Sequence, residues 1–149
     1  MALLEVKNLT KSFGGLTAVH DLSFSIDRGE ILGLIGPNGA GKTTVFSLLS
    51  GFIPPTSGEV NFKGQSVLGH KPSKVASLGI TRTFQIVKPF PSLTVRQNVM
   101  IGAFNRTNSP AAAEEEALET IDFVGLGKKR DALAGSLTLA EKKRLELAK

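Results

Sequence analysis

The 149 residues include no cysteine, which excludes a disulfide framework, thiolate chemistry and any cysteine-based zinc site. No uninterrupted apolar stretch approaches the roughly 20 residues that a membrane-spanning helix needs. The amino terminus, MALLEVKNLTKSF, lacks the basic start and long apolar core of a secretory signal. Charge of one sign is not concentrated anywhere: residues 1–85 hold 8 Lys and Arg against 5 Asp and Glu, and residues 86–149 hold 10 against 8. An excess that diffuse suits a solvated surface that also handles an anionic ligand better than a nucleic-acid footprint. There is no internal repeat and no basic tail. With 41% apolar residues and a net charge of +5, disorder is also excluded. A cytosolic globular protein, long enough to bury a sizeable core, is the expectation.

What is present divides into two textures. The first 85 residues read as strands and tight turns around one helix. Leu3 to Leu9 is a short apolar-polar run, and Leu22, Phe24 and Ile26 alternate with Ser23, Ser25 and Asp27 at the period of a half-buried strand. After the turn Arg28-Gly29-Glu30, the run Ile31-Leu32-Gly33-Leu34-Ile35 is apolar on both faces and predicts a strand buried inside a parallel sheet. A helix is expected from about Lys42 to Gly51, a turn at Pro54–Gly58, and strands over Glu59–Lys63 and Ile80–Gln85. From Lys88-Pro89-Phe90-Pro91 onward the chain reads as helical, with Thr94 as one N-cap and Ser109 followed by Pro110 as another. Glu114, Glu115 and Glu116 are expected to complement the dipole of that second helix and face water. The expected division is therefore 1–85 and 86–149.

Gly36-Pro37-Asn38-Gly39-Ala40-Gly41-Lys42-Thr43 matches the phosphate-loop pattern G-x-x-x-x-G-K-[ST], between an expected strand and an expected helix. Glycines at 36, 39 and 41 let the backbone turn tightly and aim its N–H groups at phosphate oxygens. The positive end of the following helix adds to that attraction. Lys42 is placed to set an ammonium between β- and γ-phosphates, the Thr43 hydroxyl to bind Mg²⁺, and Thr44 to donate toward the α-phosphate. The binding set is Gly36, Pro37, Asn38, Gly39, Ala40, Gly41, Lys42, Thr43 and Thr44, with ATP and Mg²⁺ as the expected ligands.

With that loop in place, the sequence resembles the ATP-binding subunits of ABC transporters along essentially its whole length. GPNGAGKTT is the loop form typical of that family. Lys11-Ser12-Phe13-Gly14-Gly15 resembles its adenine-stacking loop, and the resemblance implies that Phe13 stacks on the base with Val19 packed beside it. Read alone, Phe13 is more simply a core aromatic. Thr81-Arg82-Thr83-Phe84-Gln85 resembles the family's Q-loop, which implies that Gln85 ligates Mg²⁺ and holds the attacking water, so that Lys42 and Gln85 are the catalytic candidates. Phe13-Gly14-Gly15-Leu16, Phe84-Gln85 and Phe90-Pro91-Ser92-Leu93-Thr94-Val95-Arg96-Gln97-Asn98-Val99 resemble the branched-chain amino-acid importer branch, LivG-type subunits included. The fold so implied is α/β: a phosphate-loop NTPase (RecA-like) core with N-terminal antiparallel strands and a helical subdomain.

The resemblance also has departures. Where the family carries the LSGGQ signature that grips nucleotide on a partner subunit, this chain has Leu137-Thr138-Leu139-Ala140-Glu141. Both glycines are absent and glutamine is replaced by glutamate, so Thr138, Leu139, Ala140 and Glu141 match in position while Thr138 and Glu141 also read as a helix capping box. Lys142, Lys143 and Arg144 read as a solvated face. The family's later strand ending in Asp-Glu, which supplies the catalytic base, has no counterpart in the sequence, and neither does its histidine switch: His20 and His70 fall in an expected strand and loop. A truncated domain that binds ATP and hydrolyses it very slowly or not at all is the expectation. The implied parent is an ATPase driving import of a small solute such as branched-chain amino acids. It would pair with a second ATP-binding subunit and with permease subunits, peripherally on the inner face of the cell membrane and without nucleic acid. The rival readings are a non-catalytic nucleotide-binding module, a soluble non-transport ATPase of the same family, and a small phosphate-loop kinase.

Overall fold

Alternating side chains near the amino terminus close a hairpin. In the computed structural model, which describes residues 2–149, β1 (Leu4–Phe13) and β2 (Leu16–Ile26) pair antiparallel across Gly14 and Gly15. Gly14 sits at φ +55, a left-handed conformation that suits glycine in so short a turn. β3 (Ser57–Phe62) pairs antiparallel with the other edge of β1, setting Val6 opposite Val60, and the short β4 (Gln65–Ser66) completes the order β2-β1-β3-β4. Val6, Leu9, Val19 and Val60 point inward from this sheet and form one core with Val45 and Leu48 of helix α1 (Lys42–Leu49) and with Val67. Leu22, Phe24 and Ile26 are partly buried and Ser23 and Ser25 exposed, as their alternation predicts. The hairpin ladder shifts register at three points, the last of them between Lys11 and Ser12. Lys11 pairs with Val19 but Ser12 with Thr17, so Ala18 is an extra residue on β2, a bulge that bends the strand.

Two expected strands do not form. Residues 31–35 carry no strand and have no ladder partners, and Ile31 and Ile35 are 97% and 95% exposed. A strand exists only through hydrogen bonds to a neighbour, and among the described residues none is offered to this run. Apolar content on both faces is therefore not sufficient. Residues Ile80–Gln85 also carry no strand, and the first of them is taken up in a helix end: the Ile80 N–H donates to the Val75 carbonyl (3.3 Å) and that of Gly79 to Ala76 (3.0 Å), closing helix α2 (Pro72–Leu78). That helix was not expected, although proline at its start and glycine past its end are its sequence signals.

The chain divides after Arg82, and Thr83–Lys149 forms a second compact unit. Its helices are α3 (Val95–Ala103), α4 (Pro110–Phe123) and α5 (Leu139–Ala148), with single 3₁₀ turns at Gly127–Lys129 and Ala134–Ser136. All three helices start where their caps predict. The Thr94 hydroxyl accepts from the Gln97 N–H while the Gln97 side chain accepts from the Thr94 N–H, and Ser109 caps α4 ahead of Pro110. Val95, Val99, Ala117, Ile121, Leu126, Ala134, Leu137 and Leu145 make its core. Asn98 is fully buried there: its amide donates to the carbonyls of Phe90, Leu93 and Thr94 and its oxygen accepts from the Phe90 N–H (2.8 Å). The glutamate run lies beyond the first turn of α4, so its role is ion pairing rather than dipole compensation. Glu114 pairs with Arg96 and Glu116 with Arg106.

Candidate functional site

Gly41 decides the local geometry of the loop in the first unit. It is the N-cap of α1 at φ +80, and it is pressed against the bulge in β2 so closely that a Cβ would meet the Ala18 carbonyl oxygen. Only glycine satisfies both conditions. Being glycine, it supplies no side-chain cap, and no acidic side chain lies in the first turn of the helix. The N–H groups there, which in most helices meet a Ser, Thr, Asp or Asn side chain, remain available to an anion.

The rest of the loop wraps this point. Asn38 and Gly39 form an exposed turn, tied by the Ala40 N–H donating to the Pro37 carbonyl at 3.3 Å. Lys42, the first helical residue, folds its ammonium back onto the carbonyls of Gly36 and Pro37, each at 2.6 Å. An ammonium satisfied by two exposed backbone oxygens at the mouth of a loop is easily transferred to a phosphate oxygen, whose full charge makes a stronger partner. Thr43 is exposed at the start of α1 and Thr44 is half-buried behind it. Residues 36 to 44 are thus brought together around one helix start.

Phe13 and Val19 belong to the same unit but differ in character. Phe13 ends β1 beside the Gly14-Gly15 turn and remains 48% exposed, with the Lys11 ammonium 5.0 Å from its ring centroid. Val19 is only 7% exposed and part of the core, with one methyl carbon 3.5 Å from the ideal Cβ position at Gly41. It supports the loop from beneath.

The remaining candidates lie in the second unit. Gln85 is exposed in the segment leading to α3, next to Phe84, whose N–H donates to the Glu146 carboxylate at 2.6 Å. Thr138, Leu139, Ala140 and Glu141 open α5. The Glu141 carboxylate accepts from the N–H and hydroxyl of Thr138, both at 2.9 Å, and the Glu141 N–H donates back to Thr138 Oγ1. Lys129 adds an ion pair at 2.6 Å that the sequence did not indicate, because it depends on how the 3₁₀ turn folds against the helix start. Lys129 foremost, and then Thr138, hold the Glu141 carboxyl down at about 2. Of the basic run that follows, Lys142 and Arg144 donate to the carbonyls of Gly135 (3.2 Å) and Gly125 (3.4 Å). Among the described residues no helix is long and apolar enough to cross a membrane.

Comparison with known proteins places this geometry among relatives. A family model described as ABC transporter matches residues 19–149. The chain is 36% identical to the high-affinity branched-chain amino acid transport ATP-binding protein BraF of Pseudomonas aeruginosa, over 99% of its own length and 64% of the relative. It is 37% identical to the corresponding protein LivG of Escherichia coli K12, with the same coverage of each. The crystal structure of the ADP conformation of MJ1267, an ATP-binding cassette of an ABC transporter, superposes with a TM-score of 0.85 at 30% identity, over 99% of this chain and 63% of that one. The chain therefore spans a little under two thirds of the relatives it matches.

Proposed function

The chain belongs to the ABC transporter family and has the α/β phosphate-loop fold of its ATP-binding cassettes, and on that premise we propose that residues 36–44 bind the triphosphate of ATP. The observation that carries this reading is Gly41: a left-handed, side-chain-free N-cap locked against Ala18, which leaves the first turn of α1 open to an anion with Lys42 at its mouth. Lys42 supplies charge to the β- and γ-phosphates, the loop N–H groups hold their oxygens, and Thr44 donates on the α-phosphate side. Phe13 provides a stacking face for adenine, and Val19 stabilises the floor of the loop.

The donors suit Mg²⁺ as well. Among the described residues no group of three or more His, Asp or Glu gathers into a metal cage, and the hydroxyl of Thr43 is a hard oxygen of the kind Mg²⁺ takes alongside phosphate oxygens. When bound, Mg²⁺ neutralises charge on the phosphates. Gln85 enters as a second metal ligand and water-positioning group on its sequence resemblance alone. Thr138, Leu139, Ala140 and Glu141 are proposed to face the nucleotide of a second ATP-binding subunit.

For the whole protein we propose ATP hydrolysis coupled to import of a small solute, with branched-chain amino acids favoured by the names of BraF and LivG. Permease subunits would hold it peripherally on the cytoplasmic face of the membrane. The 149 residues alone are proposed to bind ATP and turn it over slowly, because the family's base-bearing strand has no counterpart in them. Isothermal titration with Mg-ATP and a phosphate-release assay on the same preparation test both statements. Binding without release supports them. Absence of binding removes the first, and release near 1–100 per second, the ordinary range for phosphoryl-transfer enzymes, removes the second.

A further inference from the structure

Lys11 stands over the ring of Phe13, its ammonium 5.0 Å from the centroid. The two are separated by one residue on β1, and the strand is held on both sides of them. The Ser12 N–H donates to Thr56 Oγ1 (3.0 Å), Ser12 Oγ and Thr17 Oγ1 are hydrogen-bonded across the hairpin (3.0 Å), and Phe13 pairs with Leu16. The backbone beneath the ring is therefore fixed, whereas the ring itself is half exposed. An ammonium above a phenyl ring is attracted by the negative face of the quadrupole, so Lys11 favours the rotamer that keeps the ring beneath it.

The hairpin also couples the ring to the phosphate loop. Lys11 lies opposite Val19, and the bulge at Ala18 between Thr17 and Val19 carries the carbonyl that packs on Gly41. A bulge of this kind re-aims the strand that contains it, and here it joins the ring, its cation and the loop through two residues of backbone.

We propose that Lys11 is a positioning residue for the nucleotide base: it holds the Phe13 ring in the orientation that stacks on a purine, and it acts through the ring and not on the phosphates. This rests on the reading that residues 36–44 bind ATP. The chemistry favours a ligand with an extended planar base over a bare polyphosphate, because ordering the ring in advance reduces what the base must otherwise spend on immobilising it.

The test compares ATP with inorganic tripolyphosphate, which carries the same charge pattern without a base. Titration calorimetry of both ligands is run on the unaltered chain, Lys11→Met, Lys11→Arg, Phe13→Ala and the Lys11→Met/Phe13→Ala double variant. Methionine keeps the length and apolar stem of lysine, and a thermal melt confirms that each variant is folded. The expected result is a fall in the ratio of ATP to tripolyphosphate affinity of about two- to five-fold in Lys11→Met, the size of an exposed cation–π contact, with the ratio restored in Lys11→Arg. In the Phe13→Ala background Lys11→Met should have no further effect on the ratio. Equal weakening of ATP and tripolyphosphate overturns the proposal, because the charge then acts on the phosphates, and so does additivity of the two substitutions. ATP binding no tighter than tripolyphosphate in the unaltered chain overturns base positioning while the phosphate-loop reading stands. Binding of neither ligand removes both.

Discussion

The carbonyl of Ala18 fills the space into which a Cβ on Gly41 would project. A bulge in one strand of a hairpin thereby dictates the residue type at the start of a helix more than twenty positions later. Gly41→Ala would have to displace backbone and also adopt a left-handed φ of +80. We expect a loss of about 3 kcal/mol or more in the first unit, together with weakened ATP binding. Gly39→Ala is the control: its φ is +83 but no atom lies within 4 Å of the added carbon, so the loss is confined to about 1–2 kcal/mol of conformational strain. Urea unfolding of the two variants separates crowding from strain.

Lys42 bonds to two exposed carbonyls, and such bonds contribute little to folding. Lys42→Ala should change unfolding free energy by less than about 1 kcal/mol while lowering ATP affinity by roughly ten-fold or more, the range for a hydrogen bond to a charged group. Calorimetric titration beside a denaturant curve reads both. A large stability loss with unchanged affinity is the result that contradicts the phosphate role.

Glu141 gives a pH signature. Lys129 and Thr138 hold its carboxyl at about 2 in the folded chain, below the value of about 4.3 for an unperturbed glutamate. A depressed folded value means that the unfolded state takes up the proton first as pH falls. The contribution is complete above about pH 5 and is lost as the pH drops toward 2. Glu141→Gln can still accept from Thr138 but cannot pair with Lys129. The stability gap between the two chains should be constant from pH 5 to 7 and narrow between about 4.5 and 2, measured by thermal or urea unfolding. A gap independent of pH across that range excludes the charge as its source.

Asn98 is a polar group in an apolar core, and its value lies in holding the Phe90–Thr94 turn. Asn98→Ala leaves the Phe90 N–H without its partner and removes one of two donors from each of the carbonyls of Phe90, Leu93 and Thr94. We expect a loss of about 2–3 kcal/mol in the second unit, seen as faster amide exchange throughout α3. Thr94→Ala, which removes only the cap, should lose about 1 kcal/mol.

Local features were the legible ones. Thr94, Ser109 and the Thr138–Glu141 pair were readable as helix starts because each acts within three residues of itself. The phosphate loop was readable because its glycines, lysine and threonine are contiguous. Less could be seen where a partner is distant. Nothing near Glu141 in sequence points to Lys129, nothing near Gly41 points to Ala18, and Asn98 gives no sign of being buried. Helix α2 carried its proline and glycine signals, but its interior, Ser73 to Leu78, lacks strong apolar periodicity.

By itself, the sequence determined the hairpin alternation, the helix caps and the glycine-rich turn into α1 at residues 36–44, since each depends on residues a few bonds apart. Tertiary structure alone decided that Glu141 pairs with Lys129, that Gly41 admits no side chain, and that Ile31–Ile35 forms no strand. The physical reason is the same in each case. Ion pairing of this kind, close approach and strand pairing are interactions between segments, and an apolar run becomes a strand only when another backbone lies beside it to complete its hydrogen bonds.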